Sequence, residues 1–238
     1  NADILTVDGH GEEETCFIAK GSKNNITKLH SIKYPHSLGL LYGAITEFLG
    51  FKPDSDEWKV MALASYSSKI NKYDKILKKL IKFNKDNFEL DLTYFDYYLF
   101  DKKKNFFNSK LIDILGKPRK KNEKIKNYHI QIAAASQRLF ESSLINLLKI
   151  TKKKSGFDNI VLSGGTAMNC VMNGKLDNLS IYKDSHISYA PDDSGVSIGA
   201  GLLTYYKFTN KKRIPYEIKE NYYGPLYSNK QIEKDLKT

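Results

Sequence analysis

The stretch NIVLSGGTAMN, residues 159–169, constrains the fold of this chain more than any other. A short apolar run ends directly in two glycines, Gly164 and Gly165, and a helical pattern resumes from about Ala167. The run reads as a buried strand. Glycines between strand and helix let the helix N-terminal N–H groups face an anion, or let a flat base lie against the main chain. Just upstream, Ile130 to about Lys153 carries Ala133, Gln137, Phe140, Leu144, Leu147 and Leu148 in an i, i+4, i+7 rhythm, with Lys152 to Lys154 at the end the macrodipole favours. Downstream, ISYAPDDSG reads as a strand ending in acids, and GVSIGAGLLTYYKF as a small-residue helix. Strand, loop, helix, twice over, predicts an α/β fold with its loops at the strand carboxyl ends.

The rest of the chain fits around that core. ILTV predicts an opening strand that runs into Asp8-Gly9-His10-Gly11, and residues 15–34 read as further strand broken by a turn at 21–25. PHSLGLLYGAITEFLGF predicts a helix with Ser37 as N-cap, with Leu41, Ile45, Phe48 and Leu49 on one face and Gly50 ending it. A second helix is expected within 54–66, with acids in its first turn. Residues 67–128 are rich in Lys, Asn and Tyr and read as a peripheral subregion, closing on a basic loop, GKPRKKNEKIK. The expected organisation is one domain over 1–210 and a polar connector over 211–238.

A formal charge of +11 invites a nucleic-acid reading, but only Arg119, Arg138 and Arg213 are arginines and the remaining cations are lysines. Arg suits bidentate phosphate and base contacts, whereas Lys-rich surfaces are commonly solvated faces, so the composition argues against nucleic acid. Cys16 and Cys170 are distant and form no CxxC pair, which points to reduced thiols. With no signal-peptide pattern and no apolar run long enough for a bilayer, the expectation is a soluble, cytoplasmic protein without a membrane partner.

Three loops could carry chemistry. Asp8 follows a strand and could hold a divalent cation, while the Gly9 and Gly11 backbone could approach a phosphate. An ordinary Asp-Gly turn is the alternative. Gly164 and Gly165 could face a nucleotide, with Asn169 one turn on hydrogen-bonding ribose or phosphate; the loop is neither a Walker sequence nor GxGxxG. Asp192 and Asp193 could serve an oxygen-ligated metal or simply cap the following helix. His10 is the one histidine within such a loop and the only nearby candidate base, with a plain turn residue as the alternative.

Taken in order, VDGHGEEET, PHSLGLLYGAITEFLGFKPDSDEWKVMALASY, IAAASQRLFE, VLSGGTAMNCVMNGKL and APDDSGVSIGAGLL resemble the O-carbamoyltransferases of the NodU/CmcH type. The resemblance covers most of 4–208 and is loosest through 67–128. It implies a domain of the actin, sugar-kinase and heat-shock-ATPase superfamily, ribonuclease H-like, incomplete at its N-terminus. It further implies ATP as co-substrate and carbamoyl phosphate converted to carbamoyladenylate, with the carbamoyl group passed to a hydroxyl of a small acceptor. Carried over, Asp8 and Asp193 become ligands of a divalent metal, iron or similar, with Asp192 able to exchange roles with Asp193. Gly164, Gly165 and Asn169 become nucleotide contacts, and Glu57 and Lys59 candidates for the ribose. The family's two metal-binding histidines precede the DGxG loop and have no counterpart here. The expectation is therefore a chain truncated at both ends, lacking a C-terminal domain and inactive alone. Rival readings are a noncatalytic nucleotide-binding or interaction module on the same fold and a sugar-kinase-like phosphotransferase.

Overall fold

A computed structural model describes residues 1–23, 25–99, 105–212 and 225–237. One compact unit spans Asn1–Gly201 and a second Leu202–Thr238.

In the first unit, β1 (Ala2–Val7), β2 (Glu14–Ser22) and β3 (Asn25–Lys33) form an antiparallel meander. The DGHG segment is the loop of its first hairpin. Asp8 N–H donates to Thr15 O at 2.9 Å, and Gly11 N–H to Glu14 O at 2.8 Å. Next come α1 (Leu38–Phe48) and α2 (Glu57–Ala64). Ser37 caps α1 through Leu40 N–H, as expected, and Gly50 follows the helix in the left-handed region at φ 72°.

The region 67–128, expected to be peripheral, contributes to the common core instead. It holds α3 (Lys72–Leu77), a small hairpin of β4 (Ile81–Phe83) and β5 (Phe88–Leu90), and α4 (Ser109–Leu115). Leu77, Leu80, Phe88, Phe95, Leu111 and Leu115 are each at most 2% exposed and join the same apolar cluster as Leu5 and Ile18. Its described lysines lie outside, over these buried leucines and phenylalanines, so the surface composition hid a packed interior. Within the basic loop, Arg119 is buried. Its guanidinium donates to the carbonyls of Leu49, Gly50, Lys121 and Glu123 at 2.5–3.3 Å and lies over the Phe51 ring at 4.7 Å.

The long helix α5 (Asn127–Ser155) packs on β1 and β2 and is flanked by α1, α2 and α3. Its Phe140, Leu144, Leu147 and Leu148 are buried, each contributing roughly 1.5–3 kcal/mol relative to exposure. Gly156 ends it in the left-handed region. Then follow β6 (Asn159–Ser163), a short 3-10 turn over Gly165–Met168, α6 (Cys170–Asn173), β7 (Asp184–Ile187) and α7 (Val196–Thr209). The helix expected from Ala167 is thus a turn and four residues, stopped near Gly174. The strand expected at ISYA sits earlier, at DSHI. The sheet order is β3-β2-β1-β6-β7, with β6 and β7 parallel to β1. The fold is α/β, and the carboxyl ends of β1, β6 and β7 lie side by side.

α7 begins in the first unit and ends in the second, which also holds α8 (Asn229–Asp235). The expected connector falls partly on residues 213–224, outside the described residues, as does Arg213. Among the described residues no helix is long and apolar enough to cross a membrane.

Candidate functional site

Parallel pairing of β1, β6 and β7 delivers the three glycine- and acid-bearing loops to one edge of the sheet. Gly164 is fixed there by its backbone, at φ 89°, and a Cβ on it would stand 2.2 Å from Val7 O. Any other residue would push the β6 loop off β1. On its other side Gly164 N–H donates to Pro191 O at 2.7 Å, and Ser163 Oγ donates to the same carbonyl at 2.8 Å. Thr166 Oγ1 donates to Val7 O at 2.7 Å, and a Cβ on Gly165 would be 3.0 Å from Asp8 Oδ1. Asp8, Gly164, Gly165 and the loop holding Asp192 and Asp193 are therefore brought together.

The hairpin loop is held from below by α1. Ser37 Oγ donates to Asp8 O at 2.9 Å, and a Cβ on Gly39 would come within 2.6 Å of Gly9 N. The PHSLG segment thus positions Asp8, a role the sequence reading did not give to Ser37 or Gly39. Within the loop, Gly9 N–H donates to Asp8 Oδ1 at 2.7 Å and Gly11 N–H is engaged by Glu14 O, so both expected phosphate donors already have local acceptors. His10 is exposed, its ring centroid 6.3 Å from that of Tyr34.

The acidic pair divides its work. Asp192 caps the turn after β7, accepting from Ser194 N–H at 3.3 Å and from the Ser194 hydroxyl. Asp193 is exposed and its carboxylate makes no hydrogen bond or ion pair among the described residues, and Asp8 Oδ2 likewise has no hydrogen bond. Two carboxylates with free oxygens suit part of an oxygen-ligated divalent site. They do not complete one: among the described residues no group of three or more His, Cys, Asp or Glu side chains could hold a metal ion.

Glu57 and Lys59 are engaged within and beside α2. Glu57 Oε1 accepts from Asp54 N–H at 2.8 Å, and burial raises its carboxyl above the ordinary glutamate value. Lys59 Nζ pairs with Asp56 Oδ1 at 2.8 Å and lies over the Trp58 ring at 5.2 Å. No hydrogen bond or ion pair joins either to the three loops among the described residues. Asn169 is buried, in contact with Gln137 of α5. Gln137 fitted the buried face of that helix in sequence, and no periodicity could tell a buried amide contact from packing.

The chain matches the family described as "Carbamoyltransferase N-terminus" over residues 1–202. It belongs to that family. An uncharacterized protein of Synechocystis sp. is 36% identical over 242 residues, covering 99% of this chain and 38% of its own length. The nodulation protein NolNO of Sinorhizobium fredii is 30% identical over 235 residues, 98% of this chain and 32% of that protein. The tRNA N6-adenosine threonylcarbamoyltransferase of Borrelia hermsii is 31% identical over 122 residues, 48% of this chain and 36% of that enzyme. The chain spans 38% of the Synechocystis relative and 32% of the nodulation protein.

Proposed function

We propose that this chain is the nucleotide-binding part of an ATP-dependent O-carbamoyltransferase. The observation that carries the reading is the convergence of Asp8, Gly164-Gly165 and the Asp193 loop at one sheet edge, in a chain of the carbamoyltransferase family. The mixed five-stranded sheet with loops gathered at the ends of its parallel strands supports a ribonuclease H-like, actin and sugar-kinase type of domain. In this reading ATP lies against Gly164 and Gly165, whose lack of side chains allows a phosphate or base to approach the main chain. Carbamoyl phosphate is hydrolysed to carbamate with release of inorganic phosphate, and a carbamate oxygen then attacks the α-phosphorus of ATP, forming carbamoyladenylate as pyrophosphate leaves. An acceptor hydroxyl then attacks the carbamoyl carbon, AMP leaves, and a base takes the hydroxyl proton. Asp8 and Asp193 are proposed to contribute carboxylate oxygens to a divalent metal whose remaining ligands come from elsewhere. A C-terminal domain in cis and a cytoplasmic location belong to the same proposal.

The acceptor proposed is a small hydroxylated molecule. One relative is by its printed name a tRNA-modifying enzyme, so an RNA acceptor is the natural competitor. Against it, Arg119 is enclosed by four carbonyls and Arg138 is held by Asp74 at 2.6 and 2.8 Å, which leaves neither free for phosphate.

Calorimetric titration with ATP tests the nucleotide assignment. The wild-type protein is expected to bind, and Gly165→Ala, which presses a methyl group onto Asp8, to bind at least about tenfold more weakly. Equal affinity in the two would remove the glycine loop from the nucleotide site. Metal content checks the carboxylates: Asp193→Ala in the whole protein is expected to lose bound metal, and retained stoichiometric metal would assign another ligand.

A further inference from the structure

Where the glycine loop passes into α6, Gln137 and Asn169 form a reciprocal amide pair. Gln137 Nε2 donates to Asn169 Oδ1 at 3.0 Å, and Asn169 Nδ2 donates back to Gln137 Oε1 at 3.1 Å. Both side chains are buried, with Gln137 4% and Asn169 7% exposed. Each end of the pair is anchored by a group that can play only one role. At the α5 end, Glu141 Oε1 accepts from Gln137 Nε2 at 3.1 Å, and its other oxygen is held by Lys175 Nζ at 2.6 Å. At the loop end, Met172 N–H donates to Asn169 Oδ1 at 3.0 Å. An ionised carboxylate cannot donate and a peptide N–H cannot accept, so both amides are locked in one orientation. The Tyr42 hydroxyl, from α1, completes the set by donating to Gln137 Oε1 at 2.9 Å.

The donor and acceptor count decides what Asn169 has left. Its Oδ1 takes two hydrogen bonds, which fills both lone pairs, and Nδ2 keeps one hydrogen beyond that given to Gln137. A ribose hydroxyl seeking an acceptor would find none here without breaking a buried bond. Breaking it would leave a desolvated amide unpaired, the costly outcome for such a network.

We propose that Gln137 is a positioning residue acting through Asn169. The pair ties the segment from Gly164 to Met172 to the rigid helix α5, and α1 joins through Tyr42. The glycine loop is thereby preformed for its ligand, and Asn169 serves mainly as the tie rather than as the ligand contact the family resemblance implies. This inference rests on the nucleotide reading above for what the loop binds, but the tie itself can be measured separately.

The test uses Gln137→Met, which keeps side-chain length while deleting every hydrogen bond, together with Asn169→Ala and the double variant. Tyr42→Phe, which removes a single donor, is the mild companion should the others fold poorly. Two readouts are taken: amide hydrogen exchange over residues 163–173 and ATP affinity. Gln137→Met is expected to speed exchange over 163–173 by about tenfold while residues 144–151 of α5 keep their protection. ATP affinity should fall by about tenfold, and the double variant should bind no more weakly than Asn169→Ala alone, because both act through one contact. Tyr42→Phe should move the same exchange segment by less. Unchanged exchange over 163–173 in Gln137→Met and Tyr42→Phe would overturn the proposal. So would a double variant whose affinity loss is the product of the two single losses. If exchange rises as expected but the wild type binds no ATP, the tie stands and the nucleotide reading falls.

Discussion

Ser37 Oγ donates to the Asp8 carbonyl at 2.9 Å while accepting from Leu40 N–H at 3.1 Å, so one hydroxyl both caps α1 and fixes the end of β1. Ser37→Ala should therefore cost more than an exposed cap, about 2 kcal/mol, because the Asp8 carbonyl also loses its donor. Gly39→Ala should be worse, since its methyl would stand 2.6 Å from Gly9 N, with backbone on both sides of the clash. Urea unfolding of both variants checks the order. Stability unchanged by Gly39→Ala would mean that α1 does not press on the hairpin loop.

The two loop glycines should behave differently. Gly164→Ala meets Val7 O at 2.2 Å and requires a left-handed backbone, so it is expected to lose several kcal/mol, at or beyond the level of a large core substitution. Gly165→Ala meets only the Asp8 carboxylate oxygen at 3.0 Å, which can rotate away, and should keep the fold with a small fall in melting temperature. Thermal unfolding distinguishes them, and equal losses would contradict the geometry.

Arg119 is a structural clamp in a loop that reads as a charge run. Arg119→Lys should destabilise by about 2–3 kcal/mol although charge is conserved, because an ammonium cannot reach the carbonyls of Leu49, Gly50, Lys121 and Glu123 at once. Lysine substitutions elsewhere in 117–126 should shift stability by no more than about 0.5 kcal/mol. Chemical denaturation of the two sets is the comparison.

Acid stability should report the Asp74–Arg138 pair. Burial alone would raise the Asp74 carboxyl, but the Arg138 guanidinium and Asn71 N–H outweigh it and hold it below the ordinary aspartate value of 3.8. The folded state therefore releases this proton more readily than the unfolded chain. The stabilisation is fully present above about pH 4 and is lost as pH falls through the depressed folded value. Asp74→Asn is expected to lose about 1–2 kcal/mol at pH 7 and to show a shallower loss of stability below pH 4 than the wild type. Parallel acid limbs in the two proteins would mean that Asp74 is not the carboxylate being titrated.

How far the sequence led differs by element, for physical reasons. The long period-3.6 pattern of Phe140, Leu144, Leu147 and Leu148 announces α5, and the run before Gly164 announces β6, because burial imposes long or sharply bounded signals. β4 and β5 are three residues each, too short for a period of two to register, and they sit in a lysine-rich region whose exposed charges mask Leu80, Phe88 and Phe95. At the site, Asp8, Gly164, Gly165 and Asp193 stood out because acids and glycines at strand ends are chemically conspicuous. Ser37, Gly39 and Gln137 did not, since a cap, a helical glycine and a buried amide carry the same sequence signal whether or not they press on a functional loop.

Carbamoyl transfer by way of an adenylate is read out by pyrophosphate release from the metal-replete whole protein. Release is expected only when ATP and carbamoyl phosphate are both present, and is expected to be lost in Asp8→Asn. Release that is indifferent to carbamoyl phosphate, or none in metal-replete whole protein given both, would contradict it.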